Sequence, residues 1–441
     1  MKRLAGWLIL LLSVPVSAAA LAAAAPSGDT RPDAPELANR GAQAVGVRTL
    51  DVVNRDQLDV LAIDAAHPAP RYDRALRLEV WYPTRLAAGQ QEFTTYTDVL
   101  GAGANDPQRP NTPFEFAGRA LRDAEPQAGR HPLVILSHGY PGSRLQMSYL
   151  TEHLASHGYL VVAIDHREST RADKAGFAST LLNRALDDLF VLQRLAELGE
   201  AGSGSFLAGH VDAERTALIG YSMGGYGALN AAGVGASAVA GKLVPGDALR
   251  ARQAGDPRFV ASQDLRIKAL VLFAPWGGQQ GILDGAGLAA LKVPSLFVAG
   301  DQDDVSGYAD GVRRLFEGAV NAERYLLVYQ NARHNVAPNP PPAAARSHPD
   351  DFAAYAEPVW DSRRLNDINR HFVLAFLDQQ LKGLDRRAYL TLTPRAADGR
   401  WALDGQNQPL PGHSHWHGFP RRAALGLEFH HLPAGQTAPA P

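Results

Sequence analysis

The pattern of apolar and polar positions changes character at Pro132. Before it, residues 76–82 alternate with a period of two, with Leu76, Leu78, Val80 and Tyr82 on one side and Arg77 and Glu79 on the other, as a half-buried strand does. The run 47–53 has the same character, and the two are expected to pair antiparallel where the sheet opens. Residues 85–130 are weakly patterned and rich in turn formers, and they read as connections only. After Pro132 come short apolar runs at 133–136, 160–164, 217–219, 270–273, 296–298 and 325–328, separated by helical segments. Runs apolar on both faces belong to parallel strands covered by helices on each side. Leu181, Leu182, Ala185, Leu186, Leu189 and Leu192 recur at helical spacing, and Gly199 is placed to end that helix. The fold class that follows is α/β, a mostly parallel central sheet with helices on both faces.

Three stretches stand outside this alternation. Residues 233–263 are too long for a plain connection, and the stretch after Arg387 runs into a loose Pro-Ala tail. At the other end, Lys2 and Arg3 precede an apolar core at 4–16, then Ala18, Ala19 and Ala20, which is the layout of a secretory signal peptide. That core is shorter than the about 20 apolar residues a spanning helix wants. The expected division is a signal peptide at 1–25, a flexible leader at 26–45, one α/β domain at 46–385 and a C-terminal extension at 386–441. The mature protein is expected in the periplasm or secreted, with no stable membrane span. A net charge of -2 on 441 residues gives no reason to expect a nucleic-acid partner. The absence of cysteine excludes a disulfide, a thiolate metal site, a catalytic thiol and a lipid-modified N-terminal cysteine.

The candidate chemistry centres on Gly220, Tyr221, Ser222, Met223 and Gly224, a G-x-S-x-G between the run 217–219 and a small-residue helix expected to begin near Gly225. A sharp strand-to-helix turn presents the serine oxygen at the sheet edge, and glycines two residues to either side remove side chains that would collide there. With 42 glycines the motif alone can arise by chance, and a near miss at Gly412, Ser414 and Trp416 lacks both the last glycine and the strand. An unperturbed alcohol needs a base, and in this turn's usual setting the acid and then the histidine follow the serine in the chain. Of 15 histidines, His334 lies in a loop directly after the last strand, whereas His348 and His371 read as surface or packing residues. Asp301, Asp303 and Asp304 crowd the turn after Gly300; the positional argument selects Asp303, the third residue beyond that glycine. The oxyanion of an acyl transfer needs two fixed N–H donors. Met223 follows the nucleophile, and Tyr140 sits in the loop 137–142 after an early strand. Trp276 follows the run 270–273 at the same sheet edge and is a candidate substrate contact. His413, His415 and His417 alternate but have no acidic partner near in sequence, so neither a metal nor any cofactor is expected.

Residues 136–139, 154–159 and 164–167 resemble the corresponding run in platelet-activating-factor acetylhydrolases, and they are similar to bacterial cutinases and polyester hydrolases and to the predicted dienelactone hydrolases. The likeness covers roughly 47–383 and is clearest over 132–335. It implies an α/β-hydrolase fold and cofactor-free hydrolysis of a small-molecule or lipid ester through an acyl-enzyme. Ser222, His334, Met223, Tyr140 and Trp276 match the family's nucleophile, base, oxyanion and aromatic cleft positions. Two departures stand out. The cysteine nucleophile of true dienelactone hydrolases is absent, and no carboxylate stands at 274–276, where the acetylhydrolases place their acid. The insertion at 233–263 is a candidate lid, and with the loop 338–342 it is expected to crowd the cleft and favour short acyl groups. The rival readings are a lipid-directed acetylhydrolase and a non-catalytic envelope protein on the same fold. The signal layout predicts a mature N-terminus between Leu21 and Ser27, which sequencing of the exported protein checks; a soluble product retaining Met1 would overturn it.

Overall fold

The computed structural model describes residues 30–438, so the expected signal peptide lies outside the described residues. The opening alternation forms β1 (Ala44–Leu58) and β2 (Arg71–Thr84), paired antiparallel with Val47 opposite Trp81. A separate hairpin, β3 (Thr94–Leu100) and β4 (Thr112–Gly118), is followed by the short β5 (Leu121–Arg122). The apolar runs form β6 (His131–Ser137), β7 (Leu160–Asp165), β8 (Val211–Tyr221), β9 (Ile267–Phe273), β10 (Ser295–Gly300) and β11 (Arg324–Tyr329), and each pairing among them is parallel. With β12 (Leu427–Leu432), the order across the ten-stranded sheet is β12-β11-β10-β9-β8-β6-β7-β2-β1-β5.

The period-two geometry of a strand splits each apolar run between two cores. Val134, Leu136, Leu296 and Val298 face one layer, with α1 (Ser148–Ser156) and the last long helix; Leu133, Ile135, Phe297 and Ala299 face the other, with α2 (Phe177–Leu198) and α3 (Met223–Ala231). That last helix is α4 (Ser362–Lys382), whose Ile368, Phe372 and Phe376 are buried. Gly199 caps α2 as its spacing predicts. Among the described residues, no helix is long and apolar enough to cross a membrane.

Three regions differ from the sequence expectation. The stretch 85–130 is not connections only. Its hairpin is fixed by a distant contact that no local pattern encodes: Trp81 Nε1 donates to Tyr96 Oη at 2.7 Å, and Tyr96 Oη donates to Glu152 of α1 at 2.8 Å. The leader from Thr30 onward is packed, not loose. Arg31 N–H donates to Asp367 at 3.0 Å, Leu37 N–H donates to the buried His371 Nδ1 at 3.2 Å, and Gln43 N–H donates to Ser156 O at 3.0 Å. The C-terminal stretch is joined to the main domain through β12, which pairs antiparallel with β11 and covers what would be a bare sheet edge. Trp416, Phe419 and Phe429 from this stretch pack on Phe372 of α4, with the Phe372 and Phe429 rings stacked at 4.8 Å.

A chain ending at Asp385 should therefore fail to fold. Losing each buried aromatic costs about 3–5 kcal/mol, and three of them exceed much of the about 5–15 kcal/mol that holds a domain together. Soluble yield and thermal melting against the full chain measure this; a truncated protein with an unchanged melt would refute it.

Candidate active site

β8 ends at Tyr221 and α3 begins at Met223, so Ser222 alone turns the chain between them. It does so at φ 54° and ψ −113°, a backbone conformation that costs a non-glycine residue about 1–3 kcal/mol and concentrates at functional sites. The flanking glycines are required by contact: a Cβ on Gly220 would lie 2.3 Å from Gly224 O, and one on Gly224 would lie 2.0 Å from Ser137 O at the end of β6. Ser222 N–H donates to Phe273 O at 2.9 Å, and Ser222 O accepts from Tyr226 N–H at 3.2 Å and Trp276 N–H at 3.0 Å. The residue is tied to β9 on one side and opens α3 on the other, so it stands at the positive end of that helix.

The loop after β11 carries His334, and the turn after β10 carries the three aspartates. Gly300 lets the loops meet, since a Cβ there would lie 2.3 Å from Ala332 O and 2.4 Å from Arg333 O. The carboxylates separate by environment. Asp301 accepts from Asn331 N–H at 2.7 Å, and Asp304 pairs with the exposed Arg333 at 2.6 Å. Asp303 alone of the three lies against His334, with both carboxylate oxygens 3.0 Å from Nδ1. Its Oδ1 also accepts from Val305 N–H at 2.9 Å and Ser306 N–H at 2.8 Å. Burial pushes the Asp303 carboxyl up, but the His334 hydrogen bond and charge, with these two N–H groups, hold it below the ordinary carboxylate value. An ionised Asp303 accepts the Nδ1 proton and leaves Nε2 free to act as a base. No hydrogen bond joins Ser222 Oγ to the ring among the described residues, as is common before substrate binds. Tyr221 connects the two parts, its ring 5.3 Å from that of His334 and its Oη donating to Asn335 at 3.1 Å.

Gly139 and Tyr140 run beside Ser222; a Cβ on Gly139 would stand 3.6 Å from Ser222 Cβ. Neither Tyr140 N–H nor Met223 N–H has a hydrogen-bond partner among the described residues, which leaves two donors beside the serine. The Tyr140 ring meets Phe177 at 5.3 Å, and Phe177 meets Trp276 at 5.3 Å, giving a half-buried aromatic wall next to Ser222. Phe177 is a contributor that the sequence did not flag, because a single aromatic at the start of a helix carries no signal of its own. Glu357 is another: its Oε1 accepts from Arg333 N–H at 2.8 Å and braces the histidine loop.

The lid expectation is corrected here. Residues 233–263 dock at the end of α3 remote from Ser222, where Arg252 donates to Asn230 Oδ1 at 2.8 Å and to Asn230 O at 3.0 Å. The loop 338–342 lines a separate cavity of about 450 Å³ with Phe93, Phe114, Phe116 and Tyr355. His413 and His415 flank Trp401, and His417 lies against Tyr389. A second grouping of serine, histidine and aspartate is present at Ser137, His166 and Asp187, with separations of 2.8 and 2.9 Å. All three are buried, and burial together with the Arg184 charge lowers the His166 pKa to about 3, so that ring cannot take up a proton at neutral pH.

The layered sheet and the strand–serine–helix turn are those of the α/β-hydrolase fold. Sequence comparison agrees. Residues 117–248 match a family model described as PET hydrolase-like. The chain is similar to cutinase est1 of Thermobifida alba, 26% identical over 207 residues that cover 47% of this chain and 54% of that one. It is likewise similar to cutinase 2 of Thermobifida cellulosilytica, 25% identical over 209 residues, 47% of this chain and 62% of that one. The chain thus spans little more than half the length of these relatives. Among solved structures, a ferulic acid esterase from Streptomyces cinnamoneus superposes with a TM-score of 0.54 at 20% identity, over 90% of this chain and 99% of that one.

The three aspartates make separable predictions. Asp303→Asn preserves shape but removes the charge facing His334, and turnover should fall by about 10⁴-fold, the scale that change has in a serine protease. Asp301→Asn and Asp304→Asn should lose far less. Steady-state rates on an aryl ester, with thermal melts to show that all three are folded, make the comparison; a crippled Asp304→Asn beside an active Asp303→Asn would reverse it.

Proposed function

We propose that this protein is an exported serine hydrolase that cleaves carboxylic esters with short acyl groups. The observation that carries the reading is a strained Ser222 with two unpartnered N–H groups next to it, whose chain neighbour Tyr221 packs on the His334 ring of the Asp303–His334 pair. The similarity to cutinases supports the same chemistry.

In this mechanism His334 Nε2 takes the Ser222 proton as Oγ attacks the ester carbonyl. The negative oxygen that forms is held by Tyr140 and Met223 N–H, and Asp303 steadies the imidazolium. The tetrahedral intermediate collapses as His334 returns the proton to the leaving alcohol. Water, deprotonated by the same ring, then attacks the acyl-enzyme and releases the acid.

The short-acyl preference rests on the aromatic wall. Phe177 meets both Tyr140 and Trp276, and in this reading the wall of three rings is what limits the length of the acyl chain. Trp276 and Tyr140 bound the acyl or alcohol portion of the substrate from either side. Export is proposed from Lys2, Arg3 and the apolar run that follows them.

Ser222→Ala tests the reading directly. Alanine fits the same turn, so the variant should fold, lose labelling by a fluorophosphonate and lose ester hydrolysis by orders of magnitude. A folded variant with wild-type turnover would end the assignment. For acyl length, the wild type should prefer acetyl to palmitoyl esters, and Phe177→Ala should shift that ratio toward the longer chain by about tenfold or more. A wild-type rate rising steadily from acetyl to palmitoyl would instead favour a lipid-directed enzyme.

A further inference from the structure

The buried guanidinium of Arg184 lies behind the loop that carries Tyr140. Arg184 is on α2, 1% exposed, and two of its hydrogen bonds reach backbone: Nη1 donates to His138 O, and Nη2 donates to Gly139 O at 2.9 Å; the others go to side chains, Nη2 to Ser169 Oγ at 2.6 Å and Nη1 to Ser137 Oγ at 3.3 Å. Gly139 O receives a second hydrogen bond. His166 N–H donates to His138 Nε2 at 3.3 Å, so His138 carries its proton on Nδ1, which stands 2.6 Å from Gly139 O. Burial, with the Arg184 charge beside it, pushes the His138 pKa well down and keeps the ring neutral.

Gly139 O and Tyr140 N–H belong to one peptide unit. In a trans peptide the two point in opposite directions, so donors that hold the carbonyl on the inner side aim the N–H outward. Drawing electron density toward that carbonyl also makes the N–H a stronger donor. We propose that Arg184, with His138, is the positioning device of the oxyanion site: its fork grips the carbonyl oxygens of His138 and Gly139 and so sets the direction and strength of the Tyr140 N–H donor. The proposal rests on the ester-hydrolase reading above. Arginine suits the task because its planar fork bonds two oxygens at once, whereas lysine offers a point charge. The rest of the network keeps the guanidinium in place. Asp187, itself bound by Arg74 at 2.7 and 2.9 Å, holds His166, and Ser137 lies between His166 and Arg184.

The test compares Arg184→Lys, His138→Leu and His138→Asn with the wild type. Active sites are counted by endpoint fluorophosphonate labelling, and kcat and KM are measured on para-nitrophenyl acetate. Inhibition by a trifluoromethyl ketone, which adds to serine to form a tetrahedral oxyanion, is measured alongside. Arg184→Lys should lose about tenfold or more in kcat per labelled site, short of the about 10²–10³-fold cost of deleting an oxyanion donor. KM should stay within about twofold, and ketone inhibition should weaken by the same factor as kcat. His138→Leu should show the same signature, and His138→Asn, which returns an N–H near the former Nδ1, should recover a substantial part of the loss. Wild-type kcat per labelled site in Arg184→Lys and His138→Leu, or a loss confined to KM or to thermal stability, would overturn the proposal. If Arg184→Lys does not fold, the His138 pair decides alone. A wild type that neither labels nor hydrolyses esters would bring down the ester-hydrolase reading, and this inference with it; variants that match an active wild type would bring down this inference only.

Discussion

The crossing of the chain at Gly220, Ser222 and Gly224 is the contact on which the rest of the site depends. β6 and β8 lie side by side in the sheet, and α3 must turn back over their ends without room for a Cβ at Gly224. That proximity forces Ser222 into its strained backbone, and hydrogen bonds to Phe273 O and from the Tyr226 and Trp276 N–H groups hold it there. The same proximity brings Gly139 and Tyr140 alongside, because the loop after β6 starts where Gly224 touches Ser137. One tight approach therefore sets the backbone of Ser222, the loop carrying Tyr140 N–H, the start of α3 at Met223 and the position of Trp276.

Two groupings of serine, histidine and aspartate in one chain show that residue types and distances do not make a catalytic group. Ser137, His166 and Asp187 have hydrogen bonds of ordinary length, yet the grouping sits under the sheet edge beside a buried guanidinium. His166 is held neutral there, so it can orient neighbours but cannot accept a proton. Ser222, Asp303 and His334 differ in environment: the carboxylate is fully covered and doubly anchored by backbone, while the His334 side chain keeps 11% of its surface exposed. A base must exchange protons with substrate and water, and only the second arrangement leaves a route for that. In the first, the network is held inside by Arg184 and Arg74.

The histidine loop is braced from a part of the chain with no sequence signature. Glu357 takes the Arg333 N–H, Asn335 donates to Ala353 O at 2.6 Å and Ala356 O at 2.9 Å, and Asp351 in turn pairs with Arg109 in the loop joining β3 and β4. The cavity between this segment and β3–β4 is walled by aromatics and prolines. Packing of this kind restricts where the His334 ring can go, which a loop of its length would not do by itself.

Strands β1, β2 and β6 to β11, the turn at Ser222 and the histidine loop were legible in the sequence, because each depends on local periodicity or on the steric demands of a few consecutive residues. That Asp303, of the three aspartates, meets His334 was legible as a position counted from Gly300. Other features were decided only by tertiary structure. The hairpin at 94–118 depends on Trp81 and Glu152 reaching Tyr96 from distant elements, and the packing of the leader from Thr30 on depends on α4. The C-terminal stretch reads as a loose extension, yet β12 becomes a sheet edge because β11 has an open side for it. The insertion at 233–263 reads as a lid, yet Arg252 finds its partners at the far end of α3. Phe177 and Arg184 sit on one helix with ordinary helical spacing, and their roles arise from what lies opposite. Local pattern reports what a segment can become; which buried donor meets which backbone oxygen is settled only when separate elements close on each other and every polar group must find a partner.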